Sequence, residues 1–145
     1  MNYFEIFNLP VTYNINTDLL TKNYFSLQRG SGNRLDPSLL NEAYNTLEND
    51  IKRAEYFLSL RNVSTEKMSS KLAVQMFEMR EKYESFESSE EKIEFQKQIK
   101  KKFKVLISSL KECEDDLEEF SENFSELKFL NSFLEKERLD VYSRN

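Results

Sequence analysis

The sequence contains no histidine, a single cysteine, Cys113, and only two glycines and two prolines among its 145 residues. Without histidine, the chain has neither an imidazole for acid–base catalysis nor histidine ligands for a metal. One cysteine excludes an internal disulfide and fits a reducing compartment. Because helix-breaking residues are few and straight-chain residues are common, the composition favours long helices over sheets.

Charge and hydropathy exclude further classes of protein. The formal net charge of −5 argues against a general nucleic-acid binder, which normally has a basic surface. No apolar run approaches the roughly 20 residues that span a bilayer, so no membrane partner is expected. No basic leader precedes Phe4 and Phe7, and no nucleophile–base pair or phosphate-binding loop is visible. We therefore expect a soluble cytoplasmic protein that is not an enzyme and has no cofactor.

Apolar residues recur at helical spacing, and no alternating strand pattern of any length interrupts them. In residues 1–61, the pattern predicts a short helix that ends at Pro10 and a helix from about Asn16 to Arg29. It then predicts one helix before and one helix after a break at Asn49. Residues 61–70 are polar and mark a domain boundary. Three later stripes predict an antiparallel three-helix bundle. The stripes are Leu72, Met76, Met79, Tyr83 and Phe86; Phe95, Ile99, Phe103, Leu106 and Leu110; and Leu117, Phe120, Phe124, Leu127 and Leu134.

Three stretches of the sequence are similar to a known family. They are Asn2–Pro10 (NYFEIFNLP), Leu40–Leu47 (LNEAYNTL) and Lys52–Leu60 (KRAEYFLSL). These stretches resemble the J domain of HscB-type co-chaperones, which serve iron–sulfur cluster assembly. The resemblance predicts an all-α, L-shaped protein: a truncated J-domain-like helical hairpin over residues 1–61, followed by an antiparallel three-helix bundle over residues 70–145. It also implies that the bundle binds an IscU-type cluster scaffold, which the protein presents to an HscA/DnaK-type chaperone.

The connection between the second and third helices departs from the family pattern. In the family this loop carries a His-Pro-Asp tripeptide that is needed to stimulate ATP hydrolysis by the chaperone. Here it reads Gly30-Ser31-Gly32-Asn33, contains no histidine and is shorter. Either the natural protein lost the loop or a Gly-Ser-Gly linker replaced it. Both glycines of the chain lie at this place, which favours a replacement. We therefore predict scaffold binding without ATPase stimulation.

The main candidate for a binding site lies on the first bundle helix. At about 100° per residue, Val74, Phe77, Glu78 and Glu81 project away from the stripe that begins at Leu72. Isolated exposed apolar residues are ordinary, whereas an apolar pair beside two carboxylates fits a patch that binds a protein. The resemblance implies the second interpretation, because the matching segment of HscB-type proteins docks the scaffold.

A second candidate for the scaffold site is Phe129, which falls off the stripe of its helix. The resemblance implies a scaffold contact there; the alternative is a helix that is buried on two sides. On the chaperone side, Lys22 and Arg29 match the basic face with which J domains meet an acidic partner. Exposed basic residues are also common on any soluble helix.

Two charged segments of the chain were considered as nucleic-acid or metal sites, and neither pattern favours such a site. The lysines within residues 100–104 are expected to face the acidic segment 112–126, which gives a neutralised surface rather than a nucleic-acid site. The acidic residues around Cys113 lack the spacing of a metal site. The alternative function is a helical adaptor, or a regulatory chaperone-binding module, outside cluster assembly. A pull-down with a cluster scaffold distinguishes the two.

Overall fold

Seven α-helices make up the secondary structure of the described part of the chain, and no strand occurs there. The computed structural model describes residues 1–30, 35–65 and 68–143, without the side chains of residues 138–143. The helices are α1 (Tyr3–Ile6), α2 (Thr17–Arg29), α3 (Pro37–Glu48), α4 (Asp50–Leu60), α5 (Ser70–Ser85), α6 (Ser89–Glu112) and α7 (Leu117–Ser143). The predicted all-α fold class is confirmed.

Short polar side chains define where the helices begin. Asn49 separates α3 from α4, because its side-chain oxygen accepts hydrogen bonds from the backbone N–H groups of Ile51 and Lys52, both at 3.0 Å. The predicted break at Asn49 is therefore confirmed. The other N-terminal caps are the side chains of Asn2, Asn16, Asp36, Ser69, Ser88 and Asp116.

The chain divides into two compact units, Met1–Val63 and Ser64–Asn145. The first unit contains α1 to α4, and the second contains α5 to α7. Gly30 follows α2 with an extended backbone, φ −69° and ψ 119°. The rest of the Gly-Ser-Gly loop prediction falls on residues 31–34, outside the described residues. None of the described helices combines enough length with enough apolar character to cross a lipid bilayer.

In the first unit, α2 and α3 form an antiparallel pair. The hydroxyl groups of Thr21 and Tyr44 lie 3.2 Å apart, and the Tyr24 hydroxyl donates a hydrogen bond to Asn41 at 2.6 Å. The rings of Tyr24 and Tyr44 stack with their centroids 4.1 Å apart. Contacts that advance along α2 therefore move backwards along α3. The core beneath the pair consists of Phe4, Phe7, Leu9, Leu20, Leu40, Ala43 and Leu47.

A buried arginine fastens the segment before α2 to the start of α4. Arg53 is only 2% exposed. Its Nε and Nη1 donate to the backbone carbonyls of Tyr13 and Leu47, both at 2.8 Å, and its Nη2 donates to the Asp50 carboxylate at 2.9 Å. All three guanidinium nitrogens therefore have a partner, as a buried charge requires. Burial raises the pKa of Tyr13 to about 12, while the nearby Arg53 charge acts to lower it.

In the second unit, α6 and α7 run antiparallel. The ammonium of Lys102 pairs with the carboxylate of Glu126 at 2.8 Å, and the Asn123 amide donates to the Cys113 sulfur at 3.6 Å. Their contact surface contains most of the core of this unit. The buried residues are Phe95, Ile99, Leu106 and Leu110 on α6, and Phe120, Phe124, Leu127, Phe129, Leu130 and Phe133 on α7.

Helix α5 packs against both of these helices through one aromatic side chain. The Tyr83 ring lies 6.1 Å from that of Phe95 on α6 and 5.3 Å from that of Phe133 on α7. The predicted stripe is present, but Met76 and Met79 in its middle are only half-buried. Together, these contacts confirm the predicted bundle.

Candidate functional site

Helix α5 has one face in the core and one face in solvent. Ser69 caps it at its start, where its hydroxyl oxygen accepts the Leu72 N–H at 3.1 Å. Leu72 and Tyr83 are buried, one near each end. On the opposite side, Val74 is 55% exposed and Phe77 is 62% exposed. Two apolar side chains of α5 are therefore exposed to solvent, while the opposite face of the helix packs in the core.

Two carboxylates lie beside these apolar residues. Glu78 and Glu81 are both exposed, and neither forms an ion pair within the described part of the chain. The spacing of Val74, Phe77, Glu78 and Glu81 places all four on one side of α5. We call these four residues the α5 outer face. The structure thus brings the four predicted residues together; scaffold binding by them stays a prediction.

Phe129, the second residue predicted for the scaffold site, is buried in the bundle rather than exposed on its surface. Its side chain is only 6% exposed, and its ring centroid lies 6.4 Å from that of Phe133 in the bundle core. The alternative, a helix buried on two sides, is correct here, because α7 contacts α5 as well as α6. On the α5 side, the guanidinium carbon of Arg80 lies 5.6 Å from the Phe129 ring centroid. Arg80 therefore lies over the Phe129 ring, and a scaffold contact by Phe129 stays a prediction.

Both residues predicted for the chaperone-binding surface lie on α2 and are exposed. Lys22 and Arg29 stand about two turns apart, and Phe25, between them on the same side, is 49% exposed. Phe25 was not predicted as a site residue, because it falls outside the core stripe that begins at Leu20. An apolar ring between two basic residues is the signal that points to it. We call Lys22, Phe25 and Arg29 the α2 basic face.

The prediction that the lysine run faces the acidic segment is correct for one lysine. Lys102 pairs with Glu126 of α7. The neighbouring Lys100, Lys101 and Lys104 are exposed. Among the described residues, Lys102 is thus the one lysine of this run that forms an ion pair.

The surroundings of Cys113 are those of a packed thiol. Its side chain is buried, and burial raises the pKa of Cys113. The amide of Asn123 is its hydrogen-bond donor. Among the residues that the structure describes, no three or more cysteine, aspartate or glutamate side chains are arranged to hold a metal ion.

Comparison with known proteins finds relatives over almost the whole chain. A co-chaperone protein HscB homolog of Shewanella woodyi is 30% identical over 171 aligned positions, which cover 97% of this chain and 97% of that protein. A second HscB homolog, from Shewanella halifaxensis, is 30% identical and covers 90% of this chain and 91% of that one. The first alignment is longer than the 145 residues of this chain. The relative therefore has internal segments that this chain lacks.

Solved structures show the same fold. The chaperone HscB from Vibrio cholerae superposes with a TM-score of 0.76 at 24% identity, over 98% of this chain and 99% of that one. The human co-chaperone protein HscB gives a TM-score of 0.80 at 22% identity, over 97% of this chain and 82% of that one. No family model matches the sequence.

Proposed function

This chain belongs to the HscB family of co-chaperones, and on that premise we propose that it binds an IscU-type iron–sulfur scaffold through the α5 outer face. It presents the bound scaffold to an HscA/DnaK-type chaperone in the cytoplasm. The chain catalyses no reaction and holds no cofactor. Its contribution is to bring two other proteins together.

One observation carries the scaffold-binding proposal. Val74 and Phe77 expose more than half of their side chains, although α5 already buries Leu72 and Tyr83 on its other side. Apolar side chains at the centre of an interface, surrounded by charged residues, are the usual arrangement of a binding hot spot. Burial of Phe77 and Val74 against the scaffold supplies affinity, and the carboxylates supply orientation.

The two carboxylates predict the chemistry of the scaffold surface. Glu78 and Glu81 are exposed, so their pairing with lysine or arginine of the scaffold contributes more to the association rate than to affinity. The apolar contact remains the larger contribution. Phe129, beneath Arg80, supports this surface from inside the bundle.

The α2 basic face supports docking to an acidic surface of the chaperone. Productive coupling requires more than docking, and the sequence contains no histidine for the His-Pro-Asp tripeptide of the family. We therefore assign scaffold binding to this chain and assign it no stimulation of ATP hydrolysis.

A calorimetric titration with the IscU-type scaffold of the same organism tests the proposal. The unmodified chain is expected to bind, and Glu78→Lys with Glu81→Lys is expected to weaken binding and to reduce its dependence on salt. The control is Glu48→Lys with Glu55→Lys, which changes the net charge equally at exposed positions of the first unit. Absence of binding by the unmodified chain, or equal losses in the two double variants, would contradict the proposal.

A further inference from the structure

Arg80 occupies the flank of α5 between an exposed ring and a buried one. Phe77 lies three residues earlier and is therefore its neighbour on the helix surface. On its other side, the Arg80 guanidinium carbon lies 5.6 Å from the ring centroid of Phe129, which is 6% exposed. Arg80 thus connects the α5 outer face to the bundle core.

The nitrogen atoms of Arg80 are available for a ligand. Its guanidinium has no hydrogen bond or ion pair with any residue that the structure describes, although Glu81 and Glu84 are close in sequence. A guanidinium is a planar fork with five N–H donors, and one that packs on an aromatic ring has fewer orientations to lose on binding. Such a fork matches the two oxygens of a carboxylate.

Around the circumference of α5, the positive charge of Arg80 and the negative charges of Glu78 and Glu81 lie on opposite sides of Phe77. With about 100° of turn per residue, Arg80 lies about 60° from Phe77 on the side nearer α7, whereas Glu81 and Glu78 follow on the other side. A partner segment that covers Phe77 therefore meets a positive charge on one flank and negative charges on the other. The order of charges restricts both the sequence and the direction of the segment.

We propose that Arg80 is a specificity residue of this surface: it binds an aspartate or glutamate of the scaffold that lies next to the apolar group packed on Phe77. The inference rests on the proposed scaffold-binding function. It adds that the scaffold segment carries an acidic residue on the Arg80 side and basic residues on the side of Glu78 and Glu81. Phe129 acts through Arg80, as the ring that holds the guanidinium in place.

A purely structural role for Arg80 makes different predictions. If Arg80 only covers Phe129, then Arg80→Met, which keeps a long apolar stem over the ring, leaves scaffold affinity unchanged. If Arg80 binds a carboxylate, Arg80→Met loses about tenfold in affinity and Arg80→Lys, which keeps the charge without the fork, loses about threefold. In both cases the melting temperature stays close to that of the unmodified chain.

Lys82 is a matched control on the same helix. Its ammonium lies 5.7 Å from the ring centroid of buried Phe95, so it also covers an aromatic ring of the bundle. It stands on the far side of α5 from Phe77, about 140° away around the helix. Lys82→Met removes the same charge from the same helix and is expected to leave scaffold affinity unchanged.

The test is a set of calorimetric titrations of the full chain with the scaffold of the same organism, using Phe77→Ala, Arg80→Met, Arg80→Lys and Lys82→Met. Each scaffold aspartate and glutamate is also changed to its amide. We expect that one scaffold amide variant binds the unmodified chain more weakly than the original scaffold does. With Arg80→Lys or Arg80→Met, the same amide variant should cause no further loss of affinity.

The outcomes separate this inference from the function on which it rests. If Phe77→Ala weakens binding but both Arg80 variants bind like the unmodified chain, the inference is wrong and the proposed function stands. Equal losses for Arg80→Met and Lys82→Met would also overturn the inference, because they would reflect net charge alone. If the unmodified chain does not bind the scaffold, both are wrong. If Arg80→Met does not fold, Arg80→Lys and the scaffold amide variants still test whether Arg80 binds a scaffold carboxylate.

Discussion

The Arg53 guanidinium lies 4.6 Å from the ring centroid of Tyr13 and donates a hydrogen bond to the carbonyl of that same residue, 40 positions earlier in the chain. One buried side chain therefore holds the segment before α2 against α4. The same unit contains α2, which carries the α2 basic face.

Arg53→Ala should destabilise the first unit by about 2–4 kcal/mol. The substitution leaves the buried carbonyls of Tyr13 and Leu47 without their donor, and each lost partner of this kind costs about 1–3 kcal/mol. Urea unfolding measured by circular dichroism gives the free energy. The neighbouring Lys52 is exposed, so Lys52→Ala is the control and should change stability by less than about 0.5 kcal/mol. Similar losses in the two variants would mean that the buried network contributes little.

Stability should fall when the pH rises from about 10 to about 12. Burial raises the pKa of Tyr13 from 10.0 to about 12, so the folded protein keeps the phenol proton over a range in which the unfolded chain has lost it. This contribution is complete below pH 10 and disappears as the pH passes the folded value. A shift of this size corresponds to up to about 3 kcal/mol.

Tyr13→Phe should flatten this part of the stability–pH curve, because the phenylalanine ring does not titrate. Denaturant unfolding at several alkaline pH values gives both curves. Since the two proteins differ only at residue 13, the difference between the curves isolates Tyr13. Parallel curves would show that its ionisation is not coupled to folding.

Phe77→Ala should leave the free energy of unfolding within about 0.5 kcal/mol of the original, whereas Leu72→Ala should lower it by about 2–4 kcal/mol. The reason is exposure: Phe77 is 62% exposed and Leu72 is 9% exposed on the same helix. Met76→Ala should fall between them, at about 1 kcal/mol, because Met76 is only half-buried. Thermal melts of the three variants provide the ranking. A large loss of stability in Phe77→Ala would identify that residue as part of the core.

The chain should not accelerate ATP hydrolysis by a DnaK-type chaperone, because it contains no histidine for the His-Pro-Asp tripeptide. Single-turnover hydrolysis with and without the protein measures the effect. The comparison is a variant with a loop containing His-Pro-Asp inserted between Arg29 and Leu35. This variant has the same helices and should stimulate ATP hydrolysis. A tenfold or so stimulation by the unmodified chain would mean that another segment performs this role.

Helical periodicity predicted most of the fold because most core residues lie on a single stripe of each helix. It left two interpretations open at Phe129, and the structure shows the residue buried, because α7 is buried on two sides and residues off the main stripe are also core. It also gave no sign that Arg53 is buried. A guanidinium is stable in a core only when hydrogen-bond acceptors surround it, and here the carbonyls of Tyr13 and Leu47 come from other parts of the chain. For the site, periodicity identified the α5 outer face but missed Arg80, whose position over Phe129 depends on how two helices pack.

A pair of matched substitutions tests whether the α5 outer face binds the cluster scaffold. Phe77 on α5 and Val105 on α6 are each 62% exposed. Calorimetric titration with the scaffold should show a loss of about 1–3 kcal/mol for Phe77→Ala, about five- to 150-fold in affinity, and no change for Val105→Ala. Unchanged affinity in a folded Phe77→Ala variant, or an equal loss in both variants, would show that the α5 outer face does not bind the scaffold.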